Sequence, residues 1–228
     1  MANSPENGPD PEIYRRVFAN NQQWVARKTS GDAEFFQRLS YEQRPSFFYI
    51  GCADSRVPAN EIMGLDAGEV FVHRNVANLV VNTDLNGQAA LQYAVEHLHV
   101  KHVVVCGHYG CGGVKAAMQR LDLGLLNGWL REIRDVCRMY YDELCYITDD
   151  DRRFRRLVEL NVREQCNNVI KTAVVQKHYQ QYGFPTVHGW VYDLHDGLLR
   201  DLKIPFEHVL EGIREVYELD FPPPESCD

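Results

Sequence analysis

A cysteine, an aspartate and an arginine stand two positions apart at Cys52, Asp54 and Arg56, directly after the apolar residues YIG. A short apolar run that ends in glycine is typical of a buried strand. Its last residue is followed here by side chains that do not continue a core: a thiol, a carboxylate and a guanidinium. A guanidinium is planar and binds a carboxylate through two parallel hydrogen bonds. This spacing therefore indicates a polar, chemically active site at the end of a strand.

A second run whose side chains could do chemistry is VVVCGHYGCGGV, which carries His108 and Cys111. A strand is predicted to end at Gly107, and the glycines that follow permit a tight backbone path before a helix. Ligands of open α/β sheets bind beyond the carboxyl ends of the strands. Cys52, His108 and Cys111 therefore converge if their two strands are neighbours.

Two thiolates and one imidazole are suitable ligands for Zn²⁺. A structural zinc site normally has four protein ligands, whereas a catalytic site has three and leaves one position for water. The alternatives are buried cysteines that only pack, a phosphate-binding loop, a thiolate phosphatase loop and a disulfide oxidoreductase. The sequence lacks the glycine and lysine patterns of the phosphate loops and has no C-x-x-C pair, so an open zinc site is favoured.

Composition excludes several classes of protein. The chain has 228 residues and a net charge of −8, with no basic block, so nucleic acid is not an expected partner. No window approaches the 18 apolar residues of a membrane span, and the first residues do not resemble a secretion signal. Seven cysteines, an odd number, without an export signal favour a reducing compartment. A cytoplasmic protein that makes no membrane contact is the expectation.

Apolar patterns predict alternating strands and helices. Strands are predicted at 46–51, 69–75, 102–108 and 186–193, and helices at 11–29, 32–39, 87–98 and 150–182. This alternation predicts an α/β fold in which helices cover a mostly parallel central sheet, preceded by an N-terminal helical arm. The predicted organisation is a flexible tail at 1–10, one domain at 11–220 with its arm at 11–40, and a C-terminal tail at 221–228.

Three blocks of this sequence, CADSRVP, FVHRNVANLV and GHYGCGGV, resemble the signature segments of the β-class carbonic anhydrases. Their order and separation match, and HGWVYDLHDGLLRDL resembles the family's late strand region. The likeness runs from about Gln43 to Leu202. It implies a zinc α/β enzyme, a carbonate dehydratase, that interconverts carbon dioxide and bicarbonate and assembles as a homodimer or a dimer-based tetramer.

The resemblance also implies roles for individual residues. Cys52, His108 and Cys111 would hold one zinc ion, and zinc-bound hydroxide would attack carbon dioxide. Asp54 would accept a hydrogen bond from the zinc-bound water, with Arg56 holding the carboxylate. Because a carboxylate is itself a zinc ligand, either Asp54 or water is expected as the resting fourth ligand, and the sequence leaves this open.

Further positions match family sites around the metal. The carbon dioxide pocket would be shaped by four residues, one of which, the glutamine, comes from the dimer partner: Gln43, Phe71, Val76 and Tyr93. A bacterial subgroup binds regulatory bicarbonate, and Arg74 and Tyr192 match that site, whereas Tyr49 replaces the subgroup's tryptophan.

Two rival functions remain open at this stage. One is a hydrolase on the same scaffold that acts on a related linear molecule such as carbon disulfide. The other is a non-catalytic zinc module, which predicts a fourth protein ligand on the metal. The 11–29 helix, which has an apolar stripe, is predicted to pack on a partner chain, although packing on its own domain fits the periodicity equally well.

Overall fold

The computed structural model describes residues 10–219 and 221, and the chain divides into two compact units, residues 1–43 and 44–228. The first unit contains two helices, α1 (Pro11–Gly31) and α2 (Phe35–Tyr41). Helix α1 begins where the Asp10 carboxylate accepts a hydrogen bond from the Glu12 amide at 2.8 Å, with Pro11 at the first helical position. Both features favour helix initiation.

The second unit is built on a five-stranded sheet with the order β2-β1-β3-β4-β5. The strands are β1 (Phe47–Cys52), β2 (Val70–Asn75), β3 (His102–His108), β4 (Thr186–Tyr192) and β5 (Leu199–Asp201). The first four are parallel to one another, and β5 is antiparallel to β4. Strands β1 and β3 are therefore direct neighbours whose carboxyl ends lie at the same edge.

The central strands are buried on both faces, which explains their continuous apolar runs. Val103, Val104 and Val105 are fully buried along β3. A parallel sheet covered by helices on both faces needs apolar side chains at every position rather than at alternate ones. β-branched valines also suit the extended backbone.

Eight helices cover the sheet in the described part of the second unit. They are α3 (Ala59–Met63), α4 (Leu85–Gln92), α5 (Gly112–Ala117), α6 (Leu126–Met139), α7 (Tyr141–Cys145), α8 (Asp150–Ile170), α9 (Ala173–Tyr182) and α10 (Phe206–Val216). Helix α4 continues into a π-helical turn, Tyr93–His97. Helix α8 starts at Asp149, whose carboxylate accepts from the Arg152 amide at 2.7 Å, and it contributes many of the buried side chains behind the sheet.

The predicted fold class is confirmed: a mostly parallel sheet, flanking helices and a helix at the N-terminal end. One predicted element is wrong, because the 150–182 pattern is two helices. The helix is interrupted at Thr172, which has extended backbone angles and whose hydroxyl donates to the Val169 carbonyl at 2.7 Å. Such local bonds of threonine compete with the helical ladder.

The predicted domain boundaries stay a prediction. Most of the two predicted tails, residues 1–9 and 222–228, lies outside the described residues, whereas Asp10 is the N-cap of α1. Among the helices of residues 10–219, none has the length and apolar character needed to cross a membrane.

Candidate metal centre

Three predicted ligands meet at the carboxyl ends of β1 and β3. Cys52 is the last residue of β1, His108 is the last residue of β3, and Cys111 precedes α5. All three are buried, and their ligand atoms lie within 4.8 Å of one another. The side chains converge because the two strands are hydrogen-bonded neighbours with the same direction.

The distances fit a tetrahedral zinc ion. The two sulfur atoms are 3.9 Å apart. Two sulfurs that each lie at about 2.3 Å from a tetrahedral zinc are separated by about 3.8 Å. The sulfur pair therefore already has the spacing that zinc requires.

The imidazole of His108 presents the correct nitrogen. Its Nδ1 lies 3.0 Å from the Tyr109 carbonyl, to which it donates. Its Nε2 is buried and has no hydrogen-bond partner within residues 10–219. A histidine that donates from one ring nitrogen to a carbonyl offers the lone pair of the other to a metal.

The two sulfur atoms lie within hydrogen-bonding distance of each other, and the pKa values of the two thiols move in opposite directions. Hydrogen bonding with the Cys111 thiol is the main reason that the pKa of Cys52 is below its usual range, helped by His108 and two backbone amides and opposed by burial. The pKa of Cys111 is raised, first because the Cys52 sulfur accepts its proton and then because it is buried. A cation between the sulfurs would remove the need for that proton, since metal binding requires thiolates.

Asp54 is held beside the ligands by Arg56. The guanidinium donates from Nε to Oδ1 at 2.9 Å and from Nη2 to Oδ2 at 2.7 Å, and the Arg56 amide donates to Oδ1 at 3.0 Å. The arginine side chain is the main reason that the pKa of Asp54 is well below its usual range. Oδ2 also lies 3.7 Å from Nε2 of His108. The carboxylate is therefore ionised and faces the three ligands.

The side chain of Arg74 supports the same loop by binding the loop's backbone carbonyls. Its Nε donates to the Cys52 carbonyl at 2.8 Å and its Nη2 to the Asp54 carbonyl at 2.5 Å. Tyr192, at the end of β4, accepts from the Tyr109 amide through its carbonyl at 3.0 Å. These contacts give both residues a place in the framework of the site, and their predicted part in bicarbonate regulation stays a prediction.

An irregular stretch follows β2, and we refer to residues 76–80 as the 76–80 segment. Ala77 and Asn78 both have positive φ angles, 65° and 51°. The segment fits closely against the start of α5, where a Cβ added to Gly113 would lie 2.9 Å from Cγ1 of Val76 and 3.0 Å from Cβ of Ala77. This close approach explains a glycine at position 113.

Three of the four predicted pocket residues lie in the second unit. The rings of Phe71 and Tyr93 have centroids 5.7 Å apart, and Phe71 is also 5.7 Å from Phe48. Val76 and Tyr93 are partly exposed, at 40% and 44%. Gln43 ends the first unit, and its role stays a prediction.

Sequence reasoning missed the residues that hold the 76–80 segment. Trp129 donates from Nε1 to the Val76 carbonyl at 2.8 Å, and Asn161 donates to the Ala77 carbonyl at 3.1 Å. Both are distant in sequence and belong to helices whose other roles are ordinary packing. The sequence offered one signal for these contacts. Asn161 and Gln165 lie one turn apart on the buried face of α8, and buried amide side chains need hydrogen-bond partners.

Comparisons with known proteins agree with this geometry. The family model described as carbonic anhydrase matches residues 47–199. A carbonic anhydrase of Emericella nidulans is 59% identical over 208 residues, which cover 91% of each chain.

Solved structures give the same result. A β-carbonic anhydrase of Aspergillus fumigatus has a TM-score of 0.85 at 38% identity, covering 91% of this chain and all of that one. A structure from a study of two tetrameric β-carbonic anhydrases of Sordaria macrospora has a TM-score of 0.81 at 36% identity, covering 84% and 98%. The chain therefore belongs to the carbonic anhydrase family, in its β class, and is an enzyme of the carbonate dehydratase type, a lyase.

Proposed function

We propose that this chain is a zinc-dependent carbonic anhydrase whose metal is held by Cys52, His108 and Cys111, with one zinc ion per chain. The observation that carries the proposal is the pair of sulfurs 3.9 Å apart beside a buried Nε2 that lacks a partner in the described chain. Two thiolates and an imidazole favour zinc over harder cations such as Mg²⁺. When bound, zinc would supply Lewis acidity that brings the pKa of a coordinated water toward neutrality and so provides hydroxide for attack on carbon dioxide.

Asp54 orients the attacking water in this proposal. The carboxylate is ionised and can only accept hydrogen bonds, so a water beside it must donate one hydrogen to it. The oxygen lone pair of that water then points elsewhere, toward the substrate. Arg56 keeps the carboxylate in this orientation, because a bidentate pair fixes both oxygens at once.

The substrate pocket is proposed to be formed by Phe71, Val76 and Tyr93, with Gln43 supplied by a partner chain. Carbon dioxide is small and without net charge, so an apolar wall of aromatic and valine side chains suits it. The Phe71 and Tyr93 rings contact each other and present such a wall. Replacing Val76 with Phe should raise the KM for carbon dioxide, and an unchanged KM would remove Val76 from the pocket.

The decisive experiment combines metal analysis with stopped-flow carbon dioxide hydration. The parent chain is expected to carry one zinc and to be active, whereas Cys111→Ser should lose zinc and activity together. Cys145→Ser is the matched control, because Cys145 is exposed and lies outside the ligand cluster. A Cys111→Ser variant with full zinc and full activity would contradict the proposal.

The same assays separate the rival functions. A non-catalytic zinc module predicts zinc without hydration activity. A hydrolase of carbon disulfide predicts turnover of that molecule and little of carbon dioxide, so both substrates are assayed side by side.

A homodimer, alone or paired into a tetramer, is the proposed assembly. Helix α1 has no buried residue and exposes Ile13, Tyr14, Val17 and Phe18, and exposed apolar groups of this kind mark interaction surfaces. The Sordaria macrospora relatives are described as tetrameric. Light scattering of the full chain and of Val17→Glu tests this, since a monomeric parent or an unchanged variant would argue against packing of α1 on a partner.

Two finer proposals concern regulation and location. Regulation by bicarbonate through Arg74 and Tyr192 predicts a sigmoidal loss of activity as bicarbonate rises, and a hyperbolic curve would contradict it. A cytoplasmic location is proposed from the odd number of cysteines, and imaging of a tagged full-length chain tests it.

A further inference from the structure

Tyr109 lies between two of the predicted metal ligands, His108 and Cys111, and has contacts on both its backbone and its side chain. Its carbonyl accepts the hydrogen on Nδ1 of His108 at 3.0 Å. Its amide donates to the carbonyl of Tyr192, at the end of β4, at 3.0 Å. The orientation of the His108 imidazole therefore depends on where the Tyr109 carbonyl lies.

The backbone that carries this carbonyl is a turn between β3 and α5. It contains Tyr109 and Gly110, and Gly110 has a positive φ angle of 72°. Glycine adopts many backbone conformations at similar energy. The contact from Nη2 of Arg56 to the Gly110 carbonyl, at 3.4 Å, is longer than a typical hydrogen bond. Beyond the bond to Tyr192, the turn therefore depends on anchors made by side chains.

Glu159 of α8 provides such an anchor. The hydroxyl of Tyr109 donates to Oε1 of Glu159 at 2.7 Å, and Tyr109 is only 6% exposed, so water competes little for this bond. Burial, followed by the bond to Glu159, raises the pKa of Tyr109 to about 12, so the hydroxyl keeps the proton that it donates. Arg156 holds the other oxygen of Glu159 at 2.7 Å. The guanidinium of Arg155 covers the tyrosine ring, 3.6 Å from its centroid.

Helix α8 is thus connected to a predicted metal ligand through one residue. The bond from the hydroxyl to Glu159 fixes the ring of Tyr109, the ring fixes the backbone of the same residue, and its carbonyl orients His108. A metal-binding histidine depends on the partner of its second ring nitrogen for its tautomer and its orientation. The same turn leads directly to Cys111, so two of the three predicted ligands follow the position of Tyr109.

We propose that Tyr109, anchored by Glu159, is a positioning residue of the metal centre, which sets the orientation of His108 through its own carbonyl. This inference rests on the proposed function, since it needs a metal at Cys52, His108 and Cys111. It assigns to one buried hydroxyl an effect on metal binding in addition to its contribution to stability.

The competing explanation is that this hydrogen bond only stabilises the fold. Helix α8 offers a matched pair for comparison, because the hydroxyl of Tyr140 donates to Oε1 of Glu164 at 2.6 Å. Burial, followed by the bond to Glu164, raises the pKa of Tyr140 to about 12 as well. Tyr140 lies between α6 and α7 and is outside the ligand cluster. Tyr140→Phe therefore removes an equivalent hydrogen bond away from the metal centre.

The experiment compares four full-length variants with the parent: Tyr109→Phe, Glu159→Ala, Glu159→Gln and the control Tyr140→Phe. Tyr109→Phe keeps the ring and its contact with Arg155, and it leaves Glu159 bound to Arg156, so the variant is expected to fold. Zinc affinity is measured by competition with a chelator, and the ligand-field spectrum is recorded for each Co²⁺ form. Thermal melts of the zinc forms show how much stability each variant loses.

Tyr109→Phe and Glu159→Ala should each lower zinc affinity by about tenfold, the lower range for residues that support metal ligands, and should alter the cobalt spectrum. Combining the two should cost no more than either one alone, because both remove the same bond. Glu159→Gln keeps an oxygen that accepts from the hydroxyl and should retain most of the parent's affinity. Tyr140→Phe should lower the melting temperature and leave the zinc affinity and the cobalt spectrum unchanged.

Two results would overturn the inference. One is a Tyr109→Phe protein with the parent's zinc affinity and cobalt spectrum, which would show that the hydroxyl has no effect on the metal centre. The other is an equal loss of zinc affinity in Tyr109→Phe and Tyr140→Phe, which would assign the effect to a general loss of stability. In either case an active zinc-containing parent leaves the proposed function intact, whereas a parent without bound metal or hydration activity would contradict both.

Discussion

Asp54 and Asp193 are carboxylates at the same edge of one sheet, and arginines bind both. Asp54 follows β1 and Asp193 follows β4. Asp193 binds the His195 amide at 3.0 Å with Oδ1, and Arg155 at 3.1 Å and Arg200 at 3.3 Å with Oδ2. All of its bonds are to its own loop, to β5 and to α8.

The two carboxylates differ in where the second oxygen faces. Oδ2 of Asp54 has one arginine partner and otherwise faces Nε2 of His108 at 3.7 Å. The side chain of Asp54 is 17% exposed and that of Asp193 is 6% exposed. An aspartate–arginine pair in the sequence therefore does not distinguish these two carboxylates, whereas the surroundings of Oδ2 do.

Removing the charge from each carboxylate should break the two regions in different ways. Asp54→Asn should lower the hydration rate by about 100-fold, near the upper range for residues that support a metal centre, with little change in stability. Asp193→Asn should keep the hydration rate of the folded enzyme but lower the free energy of unfolding by about 1–3 kcal/mol, because charged hydrogen bonds are lost. Stopped-flow rates and thermal melts of both variants check this, and equal losses of activity would contradict the comparison.

Removing the arginines should give a smaller effect of the same kind. Arg56→Ala frees Asp54 to take the fourth ligand position, so we expect zinc to be retained while hydration falls by about tenfold or more. Adding Asp54→Ala should reopen the metal without restoring the full rate. Arg200→Ala is the matched control, since Arg155 still binds Asp193, and its hydration rate should equal that of the parent.

Cobalt spectra decide whether Asp54 has moved in the Arg56→Ala protein. A new coordination spectrum is expected, and the double variant should lose it. An Arg56→Ala protein with the parent's rate and spectrum would reduce the pair to a surface ion pair, worth little.

The smallest expected effect is a change of stability with pH, which we assign to histidines near the amino end of the sheet rather than to the two carboxylates. Hydrogen bonding to Arg56 lowers the pKa of Asp54, and hydrogen bonding to the His195 amide lowers that of Asp193, so both carboxylates stay ionised to lower pH than an ordinary aspartate. Burial lowers the pKa of His188, which lies 3.0 Å from His102. Below about pH 6.5 the His188 side chain therefore binds protons more readily in the unfolded chain than in the folded one. The contribution of neutral His188 to the free energy of unfolding is thus fully present above that pH and is lost as pH falls.

Melting temperatures measured from pH 7.5 to 5 test this assignment. The parent should lose stability on acidification, and His188→Gln, which keeps a side chain that can hydrogen-bond His102 but does not titrate, should lose less. His208→Gln is the control, because His208 is exposed on α10. Equal acid sensitivity of His188→Gln and the parent would remove His188 as the cause.

The parts of the site that the sequence predicts are those fixed by strand ends. Cys52 and His108 end two buried apolar runs, and the parallel arrangement brings such ends together. Cys111 follows through a short turn. The bidentate pair of Asp54 and Arg56 was also predictable, because a separation of two residues leaves the guanidinium within reach of the carboxylate.

The parts that could not be predicted depend on long-range packing. Trp129 and Asn161 lie 53 and 84 positions from the carbonyls that they bind, and no spacing rule connects them. Trp129 belongs to α6, a helix that the apolar pattern did not predict. The left-handed angles at Ala77 and Asn78 are likewise imposed by partners rather than by residue type.

The tight fit between Gly113 and Ala77 has a consequence for how this sequence can vary. A methyl group at 113 would lie 3.0 Å from the methyl of Ala77 and 2.9 Å from Cγ1 of Val76. Glycine at 77 would remove the first of these two contacts and would adopt the positive φ without strain. The two positions are therefore coupled, and their effects on stability should not add. Over evolutionary time a side chain at 113 becomes tolerable only after positions 76 and 77 have both made room for it, so the order of the mutations, and not only their identity, determines which variants of this enzyme can be reached.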